Sequence, residues 1–231
     1  MEIIELNNDF HKRACVHAAK IKWQSSPMKG VERRMLDRIG DEVARATTIV
    51  RYAPGSNFSP HVHTGGEEFF VLDGVFQDEH GDFPKGSYIR NPPQSSHTPG
   101  SKEGCTILVK LWQMHEADRT HIRIDTNKML ENHIVGRDDA RIMPLFNDGY
   151  EDVRLERWDA EQALNLTPKG GLEIFVLEGG FDEGGETFEE HSWLRLPVGQ
   201  ALEATAGAKG AVVWIKEGHL AHLDREAFAT L

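Results

Sequence analysis

Short stretches in which hydrophobic and polar positions alternate occur along most of this chain, and Gly, Pro, Asn or Asp separates one stretch from the next. The clearest stretches are rich in β-branched and aromatic residues, which favour strands. They are residues 47–52, 68–72, 87–90 and 106–111. Helical periodicity is scarce, and it predicts helices only over residues 9–20 and 224–231. Many short strands with turns about every 8–12 residues indicate an all-β sandwich or barrel.

This pattern is repeated within the chain. Residues 65–97 align without a gap with residues 170–202, and 12 of the 33 aligned pairs are identical. With one extra residue, the match continues from residues 104–110 to residues 210–216. A repeat of this length indicates two copies of one β-domain. The predicted organisation is an N-terminal domain over residues 1–115, a polar connection over residues 116–149 and a second domain over residues 150–231.

Three histidines and a glutamate in the first copy have the spacing of a metal site. His61 and His63 are two residues apart on a predicted strand, so their side chains point to the same face. The turn at residues 64–66 can bring Glu67 back beside them, and His97 comes from a distant strand. Three imidazoles and a carboxylate suit a divalent transition metal such as Zn, Fe, Mn, Ni or Cu. An ion that takes more than four ligands keeps one or two coordination positions open, where a further ligand can bind and react.

The motifs around these residues resemble those of the cupin superfamily, and most closely those of the ChrR-like cupins. The similar segments are Pro54-Gly55, residues 61–68, residues 76–82, residues 90–93 and residues 97–99. The resemblance covers residues 20–115 well, and it reaches residues 150–216 only through the internal repeat. The family includes the sensor half of the anti-sigma factor ChrR, stand-alone bicupins and metal-dependent dioxygenases that cleave C–C bonds.

This resemblance implies a double-stranded β-helix, or jelly-roll barrel, that holds a metal inside its mouth. The ligands that it implies are His61, His63, Glu67 and His97. Two positions depart from the family pattern, since Gln94 stands at a usual Gly and Ser101 at a usual Asn. These are loop and support positions, so the ligand set is intact. The chain is therefore expected to be a tandem cupin.

The second copy provides an internal control, because it lacks all four ligands. The residues opposite them are Leu166, Pro168, Leu172 and Leu202. Joint loss indicates that the four act as one unit, so we expect one divalent ion per chain and a degenerate second barrel without metal. Glu68 is kept as Glu173, so we assign Glu67 to the metal and Glu68 to the framework. Arg90, kept as Arg195, is expected to be structural as well.

Two further residues are candidates for the pocket of the first barrel. Tyr88 lies on a predicted strand and could donate a hydrogen bond to a bound ligand, with core packing as the alternative. His115 follows the last strand of the first copy and could line the pocket mouth. In the second copy, Trp158, Trp193 and Trp214 are expected to fill the barrel interior, where apolar packing must replace a polar site. The sequence identifies no catalytic residue.

Composition limits the classes of function. The 231 residues include 26 basic and 37 acidic side chains, a net charge of −11, and an acidic balance argues against nucleic-acid binding. The whole excess of acidic side chains lies in residues 116–231. No apolar run approaches the ~20 residues that cross a bilayer, and residues 1–6 do not have the pattern of a signal peptide. Two cysteines without a CxxC motif indicate reduced thiols, so we expect a cytoplasmic protein.

Three functions stay open on this basis. The first is a metal-dependent enzyme, a dioxygenase-type oxidoreductase, that acts on a small molecule or an oxidant. The second is a ChrR-type anti-sigma regulator in stress response, although the chain lacks the CxxC pair of the ChrR anti-sigma zinc domain. The third is a non-catalytic module that binds a small ligand. The partners to consider are a small molecule, a sigma factor and a second copy of the chain, whereas nucleic acid and membranes are not expected.

Overall fold

The computed structural model of this chain describes residues 5–41, 43–129 and 137–223. These residues form two compact units, each of them built from strands, which confirms the all-β prediction. The first unit contains residues 5–8 and 22–128 without residue 42, and the second contains residues 9–21, 129 and 137–223. No helix of the described residues has the length and hydropathy that crossing a membrane requires.

The strands are numbered in chain order. The first thirteen are β1 (Glu5–Leu6), β2 (Ala14–His17), β3 (Gln24–Ser25), β4 (Val31–Gly40), β5 (Ala44–Tyr52), β6 (Ser56–Asn57), β7 (His61–His63), β8 (Glu67–Asp78), β9 (Gly81–Pro84), β10 (Ser87–Asn91), β11 (Ser95–His97), β12 (Gly100–Ser101) and β13 (Cys105–Leu111). The others are β14 (Ile122–Asp125), β15 (Arg141–Asn147), β16 (Asp152–Trp158), β17 (Ala163–Leu166), β18 (Leu172–Glu183), β19 (Glu186–Glu189), β20 (Ser192–Leu196) and β21 (Leu202–Glu217). Short 3-10 helices occur at Ala18–Lys20, Thr126–Lys128 and His219–His222.

In the first unit, one large sheet has the central order β1-β4-β5-β13-β8-β10-β14, and β7 pairs with β11 in a separate two-stranded sheet. The central pairs are antiparallel. Successive side chains of a strand point to opposite faces. Phe69 and Val71 of β8 therefore face the same apolar cluster as Ile107 and Val109 of β13. The four stretches that the sequence predicted to be strands lie within β5, β8, β10 and β13.

The second unit has the central order β15-β16-β21-β18-β20-β2, and it repeats the registers of the first. Glu68 pairs with Lys110 across β8 and β13, and their repeat partners Glu173 and Lys216 pair across β18 and β21. Each long strand also has a bulge at the same place, after Val71 in β8 and after its repeat partner in β18. The internal repeat of the sequence is therefore a repeat of hydrogen-bonded register.

A glycine next to each bulge shows why the repeat keeps this residue. Gly74 and Gly179 have φ angles of 71° and 70°. A Cβ atom at Gly74 would lie 2.1 Å from the Gly104 oxygen, and a Cβ atom at Gly179 would lie 2.1 Å from the Gly210 oxygen. Only glycine combines this backbone conformation with so close an approach of a neighbouring strand.

The helix predicted over residues 9–20 is wrong. Residues Ala14–His17 form β2, which pairs with β20 in the register Cys15↔Leu194, and only one short 3-10 helix follows. The backbone groups of β20 need partners along that edge, and strand pairing satisfies them at the expense of a weak helical pattern. The second predicted helix, residues 224–231, lies outside the described residues. The expected connection, residues 116–149, contains β14 and β15.

Only one of the three tryptophans expected to fill the second barrel belongs to its interior cluster. Trp158 packs there with residues such as Phe181 and Leu202. Trp193 and Trp214 are also buried, but they alternate along β20 and β21 with the residues of that cluster. They therefore lie on the other face of the sheet. Leucine, valine, isoleucine and phenylalanine side chains fill most of this interior.

Candidate metal centre

The three histidines of the first copy lie together on two paired strands. His61 and His63 are on β7, and His97, on β11, is directly opposite His61 in the ladder. The centroids of the three imidazole rings are 4.6 to 5.1 Å apart. One ring nitrogen of each histidine lies within 4.8 Å of the others. Strand pairing thus brings together residues that are more than thirty positions apart in the sequence.

Glu67 completes this group from the start of β8. Its Oε2 lies 3.4 Å from His63 Nε2 and 3.6 Å from His97 Nε2. Both of these nitrogens are buried and have no hydrogen-bond partner. A buried polar atom without a partner is costly unless something else binds it. Two such nitrogens that face one carboxylate oxygen fit a divalent cation, which would bind all three atoms.

Polar neighbours hold the outer sides of these side chains. His97 Nδ1 donates to Asp78 Oδ2 at 3.2 Å, and His61 Nδ1 donates to the Ser59 backbone oxygen at 3.1 Å. With Nδ1 protonated, each ring presents the lone pair of Nε2 on its other side. Asn91 Nδ2 donates to Glu67 Oε2 at 3.1 Å. Such contacts orient ligands in metal sites, and they orient these side chains before any ion binds.

The electrostatics of the two buried histidines differ. Burial lowers the pKa of His63 more than the charge of Glu67 raises it. Burial also acts to lower the pKa of His97, but the hydrogen bond to Asp78 and the charge of Glu67 raise it overall. Burial acts to raise the pKa of Asp78, and the hydrogen bonds from His97 and the His80 backbone lower it overall. Asp78 is therefore a carboxylate that accepts a hydrogen bond from His97 Nδ1.

Glu68 points away from this group, although it is next to Glu67 in sequence. The Tyr88 hydroxyl donates to Glu68 Oε1, and Arg90 Nη1 lies 3.4 Å from the same oxygen. Arg90 also donates to Asp118 Oδ2 at 2.7 Å. These contacts support the assignment of Glu67 to the site and of Glu68 and Arg90 to the framework.

The repeat partner of Glu68 has an equivalent environment in the second unit. Glu173 accepts hydrogen bonds from Trp193 Nε1 at 3.0 Å and from His219 Nε2 at 2.8 Å. Trp193 is the repeat partner of Tyr88, so an aromatic donor serves the carboxylate in both units. A carboxylate with the same kind of partner in a unit without the histidines has a structural role.

A cavity of about 310 Å³ lies beside the candidate ligands. Its wall includes His61, His63 and Glu67, and the rest is mostly apolar. The apolar part consists of Met28, Val31, Val43, Ala44, Val50, Phe58, Val62, Pro99, Val109, Leu111 and Trp112. Among the residues that the structure describes, no lysine or arginine lines it. The cavity suits a small ligand with an apolar body and a donor atom that faces the histidines.

Two residues predicted to line the pocket do not do so. Tyr88 is fully buried, and its hydroxyl is used by Glu68. His115 is exposed, and its Nδ1 accepts a hydrogen bond from the Ala117 backbone. Neither residue belongs to the cavity wall. For Tyr88 the structure supports the alternative of core packing.

Sequence reasoning missed Tyr52 and Asn91, although the internal repeat carries a signal for both. Tyr52 lines the cavity, and burial together with the charge of Glu67 raises its pKa, so its hydroxyl is protonated. Its repeat partner is Trp158, and the partner of Asn91 is Leu196. Both polar groups are therefore replaced in the copy that lacks the ligands. Asp78 carries no such signal, because its partner Glu183 is also acidic.

The two departures from the cupin motifs are accommodated locally. Gln94 has a φ of 71°, the conformation that a glycine adopts most easily, and its repeat partner is Gly199 with a φ of 84°. The Gln94 backbone nitrogen donates to the His63 oxygen at 2.8 Å. Ser101 is buried and donates to the Val75 oxygen at 2.7 Å. Both residues thus hold the loops around the site.

Comparison with known proteins finds a family model that is similar to the first copy. Residues 11–115 match the family model described as the ChrR cupin-like domain. This match confirms the family resemblance that the motifs indicated. No curated protein matches the sequence.

Solved structures with the same fold cover nearly the whole chain. A proposed dioxygenase from Nostoc punctiforme is 16% identical, with a TM-score of 0.73 over 90% of this chain and 82% of that one. Protein Ylba from E. coli is 12% identical, with a TM-score of 0.67 over 91% and 93%. The bacterial pirin YhhW from Escherichia coli, in complex with nickel(II), is 14% identical, with a TM-score of 0.62 over 89% and 98%. These similarities confirm the cupin jelly-roll fold.

Proposed function

We propose that this protein is a metal-dependent enzyme of the dioxygenase type, which acts on a small and mostly apolar molecule that carries an oxygen donor and no charge away from that donor. One observation carries the proposal. His63 Nε2 and His97 Nε2 are buried without partners, face Glu67 and adjoin a cavity with apolar walls. A closed structural site would leave no such cavity beside its ligands.

The residues proposed to hold the metal are His61, His63, Glu67 and His97. Their donor atoms, three imidazole nitrogens and one carboxylate oxygen, suit iron, manganese, nickel, copper or zinc. A divalent ion held there supplies Lewis acidity and open positions for an oxygen-bearing molecule. The nickel-bound pirin supports a metal in this fold, and the proposed Nostoc dioxygenase supports an oxidative reaction.

The chain itself contributes binding and orientation. Tyr52 keeps its proton and can donate a hydrogen bond to an oxygen of the bound molecule. Val50, Val109 and Leu111 exclude water from that molecule. Because the described wall has no lysine or arginine, a charged group of the substrate that lies away from the ion would lack a counter-charge. The proposed substrate therefore has an uncharged body, and only the donor group that faces the ion can be anionic.

A regulatory function is the second candidate, because the family model that matches residues 11–115 is named after ChrR. Against it, the chain has no CxxC pair for an anti-sigma zinc domain. A regulator of this type would form a complex with a sigma factor that chelators dissolve. We expect no such complex, and co-purification of one would favour this candidate.

The enzyme proposal can be tested with iron and nitric oxide. Protein loaded with iron(II) without oxygen is mixed with nitric oxide, which binds to an open iron position and gives a characteristic electron paramagnetic resonance signal. We expect this signal in the wild type and its loss in the double variant His63→Ala/His97→Ala. The Tyr52→Phe variant keeps the signal and serves as a control for the cavity.

Oxygen consumption then tests the substrate class. We expect uptake with small carbonyl compounds whose body is apolar and no uptake with analogues that carry a charged group at the end remote from the carbonyl. A protein that binds iron but gives neither the nitrosyl signal nor oxygen uptake would contradict the enzyme proposal and favour a sensor or binding module.

A further inference from the structure

A second group of metal-binding side chains lies in the second unit. Cys15 and His17 are two residues apart on β2, so both side chains point to one face of that strand. Glu186 is the first residue of β19. One potential ligand atom of each residue lies within 4.8 Å of the other two. All three residues are half-buried rather than exposed.

The separations within this group fit coordination of one ion. Cys15 Sγ lies 3.4 Å from Glu186 Oε2 and 3.7 Å from Oε1. Sulfur and oxygen on a tetrahedral zinc ion are about 3.6 Å apart, given the usual Zn–S and Zn–O distances. His17 Nδ1 lies 3.1 Å from Ser192 Oγ, and its ring packs against Phe188. A histidine ligand is oriented by contacts of this kind.

The charges around the group also favour a divalent cation. Arg13 donates to Glu183 Oε2 at 2.7 Å and to Glu186 Oε2 at 2.6 Å. With Cys15 as a thiolate, one guanidinium stands against three negative groups, which leaves two negative charges for a divalent ion to neutralise. Arg13 keeps Glu183 as its partner when Glu186 binds the ion, so neither charge is left unpaired.

This group is not a remnant of the site in the first unit. The repeat partner of Glu186 is Gly81, and Cys15 and His17 lie outside the repeated segments. The group depends on the pairing of β2 with β20 and of β19 with β18. Only the tertiary structure brings its members together.

We propose that Cys15, His17 and Glu186 form a second metal site for a borderline-soft divalent ion such as Zn²⁺, with water as the fourth ligand. A thiolate and an imidazole select this kind of ion. The ion joins β2 to β19, which are not hydrogen-bonded neighbours. The expected number of ions per chain, which was one from the sequence, becomes two.

Cobalt(II) is the probe that tests this site, because a cobalt–thiolate bond gives an intense charge-transfer absorption in the near ultraviolet. Titration of the full chain should bind two equivalents, one of them with this absorption. Cys15→Ser should lose the absorption and one equivalent. Cys105→Ser should keep both, since Cys105 is buried in the apolar cluster of the first unit. The double variant His63→Ala/His97→Ala should keep the absorption, which separates this proposal from the proposed function.

A matched pair of glutamates on one strand completes the test. Glu186→Gln should weaken cobalt binding at this site at least ~10-fold, the lower limit for losses around metal ligands. Glu189→Gln, an exposed residue of the same strand, should leave binding unchanged. These variants keep the proposal testable if Cys15→Ser does not fold. Absence of the thiolate absorption at saturating cobalt, or its persistence in Cys15→Ser, would overturn the proposal.

Discussion

The two units have the same framework and different interiors at the position of the site. Their central strands pair in the same register and share one bulge, after Val71 in β8 and after Val176 in β18. In the first unit, His97 pairs with His61, and in the second unit Leu202 pairs with Leu166 at the same place in the ladder. The framework therefore does not depend on the candidate metal ligands. These residues are an addition to a fold that is specified elsewhere.

The difference extends to the residues that surround the site. Asn91, which donates to Glu67, is replaced by Leu196, which packs in the apolar cluster of the second unit. Asp78, which accepts from His97, is replaced by Glu183, and that carboxylate is paired with Arg13. A buried polar side chain needs a partner. Loss of the histidines thus required either an apolar replacement or a new counter-charge.

The largest loss of stability is expected when the glutamate of the first unit's site is placed at the equivalent position of the second unit. Leu172, the partner of Glu67, is fully buried in an apolar cluster and lies opposite Leu196. Leu172→Glu places a carboxylate there without a donor, and we expect the free energy of unfolding to fall by at least ~3 kcal/mol. Chemical denaturation followed by tryptophan fluorescence measures the loss.

Leu172→Met is the control for this prediction. It keeps an apolar side chain of similar volume, and we expect a loss below ~1.5 kcal/mol. If Leu172→Glu were as stable as Leu172→Met, the second unit would accept a carboxylate without histidines, and the contrast between the two interiors would be wrong.

The next largest effect concerns metal affinity at the proposed site of the first unit. Glu67→Gln keeps the shape of the side chain but removes its charge, so three neutral imidazoles are left to hold a divalent cation. We expect affinity to fall at least ~10–100-fold, the range found even for residues that only support a ligand. Calorimetric titration in the Cys15→Ser background isolates this site. The metal affinity of Glu68→Gln should stay close to that of the wild type. If the site were empty in Glu68→Gln and occupied in Glu67→Gln, the ligand would be Glu68 and the assignment would be reversed.

The framework glutamates should respond alike in the two units. Glu68 accepts from Tyr88 and lies against Arg90, and Glu173 accepts from Trp193 and His219. Replacement of either by glutamine should lower the free energy of unfolding by about 1–3 kcal/mol, because a buried charged hydrogen bond is lost. Thermal unfolding of both variants measures this. A loss in only one of them would show that the shared register does not imply a shared role.

The smallest effect is a difference between the two units in how the partner of the framework arginine makes stability depend on pH. Burial acts to raise the pKa of Asp118, but the hydrogen bonds from the Thr120 backbone and Arg90 lower it overall. A lowered pKa in the folded state stabilises the protein above the unfolded value of about 3.9, and this contribution is lost as pH falls through the folded pKa. In the second unit, Arg195 donates to the backbone oxygen of Asp9, which does not titrate.

Asp118→Asn should therefore be less stable than the wild type by about 1 kcal/mol at pH 7. The gap should begin to close as the pH falls below the unfolded pKa of about 3.9, and it should be lost below the lowered pKa of the folded state, where the wild-type carboxyl is also neutral. Urea denaturation at a series of pH values follows this gap. A gap that stays constant down to pH 3 would mean that the charge of Asp118 contributes nothing.

Much of the fold and of the candidate site could be predicted because the relevant signals are local or repeated. Residues 68–72 were predicted to be a strand from their run of aromatic and β-branched residues, and they form the first part of β8. His61 and His63 share a face because they are two residues apart on a strand. The choice of Glu67 over Glu68 followed from their different partners in the second copy, and the contacts of both residues agree with it.

The supporting residues could not be predicted in the same way. Asp78 supports His97 from the far end of β8, nineteen positions away, and the acidic residue at the equivalent place in the second copy hides this role. Tyr88 and Tyr52 look equivalent in sequence, since each is an aromatic residue on a strand. Only the packing decides that Tyr88 binds Glu68 and that Tyr52 lines the cavity.

By itself, the sequence showed an internal repeat of an all-β pattern with cupin-like motifs in its first copy, and it showed four residues of that copy that change together in the second. Spacing along a strand and an internal repeat carry that information without any knowledge of distant contacts. The tertiary structure alone decided that Ala14–His17 is an edge strand of the second unit and that Cys15 and His17 lie beside Glu186. The physical reason is that an edge strand pairs with whichever ladder has unpaired backbone groups, and no local pattern names that ladder.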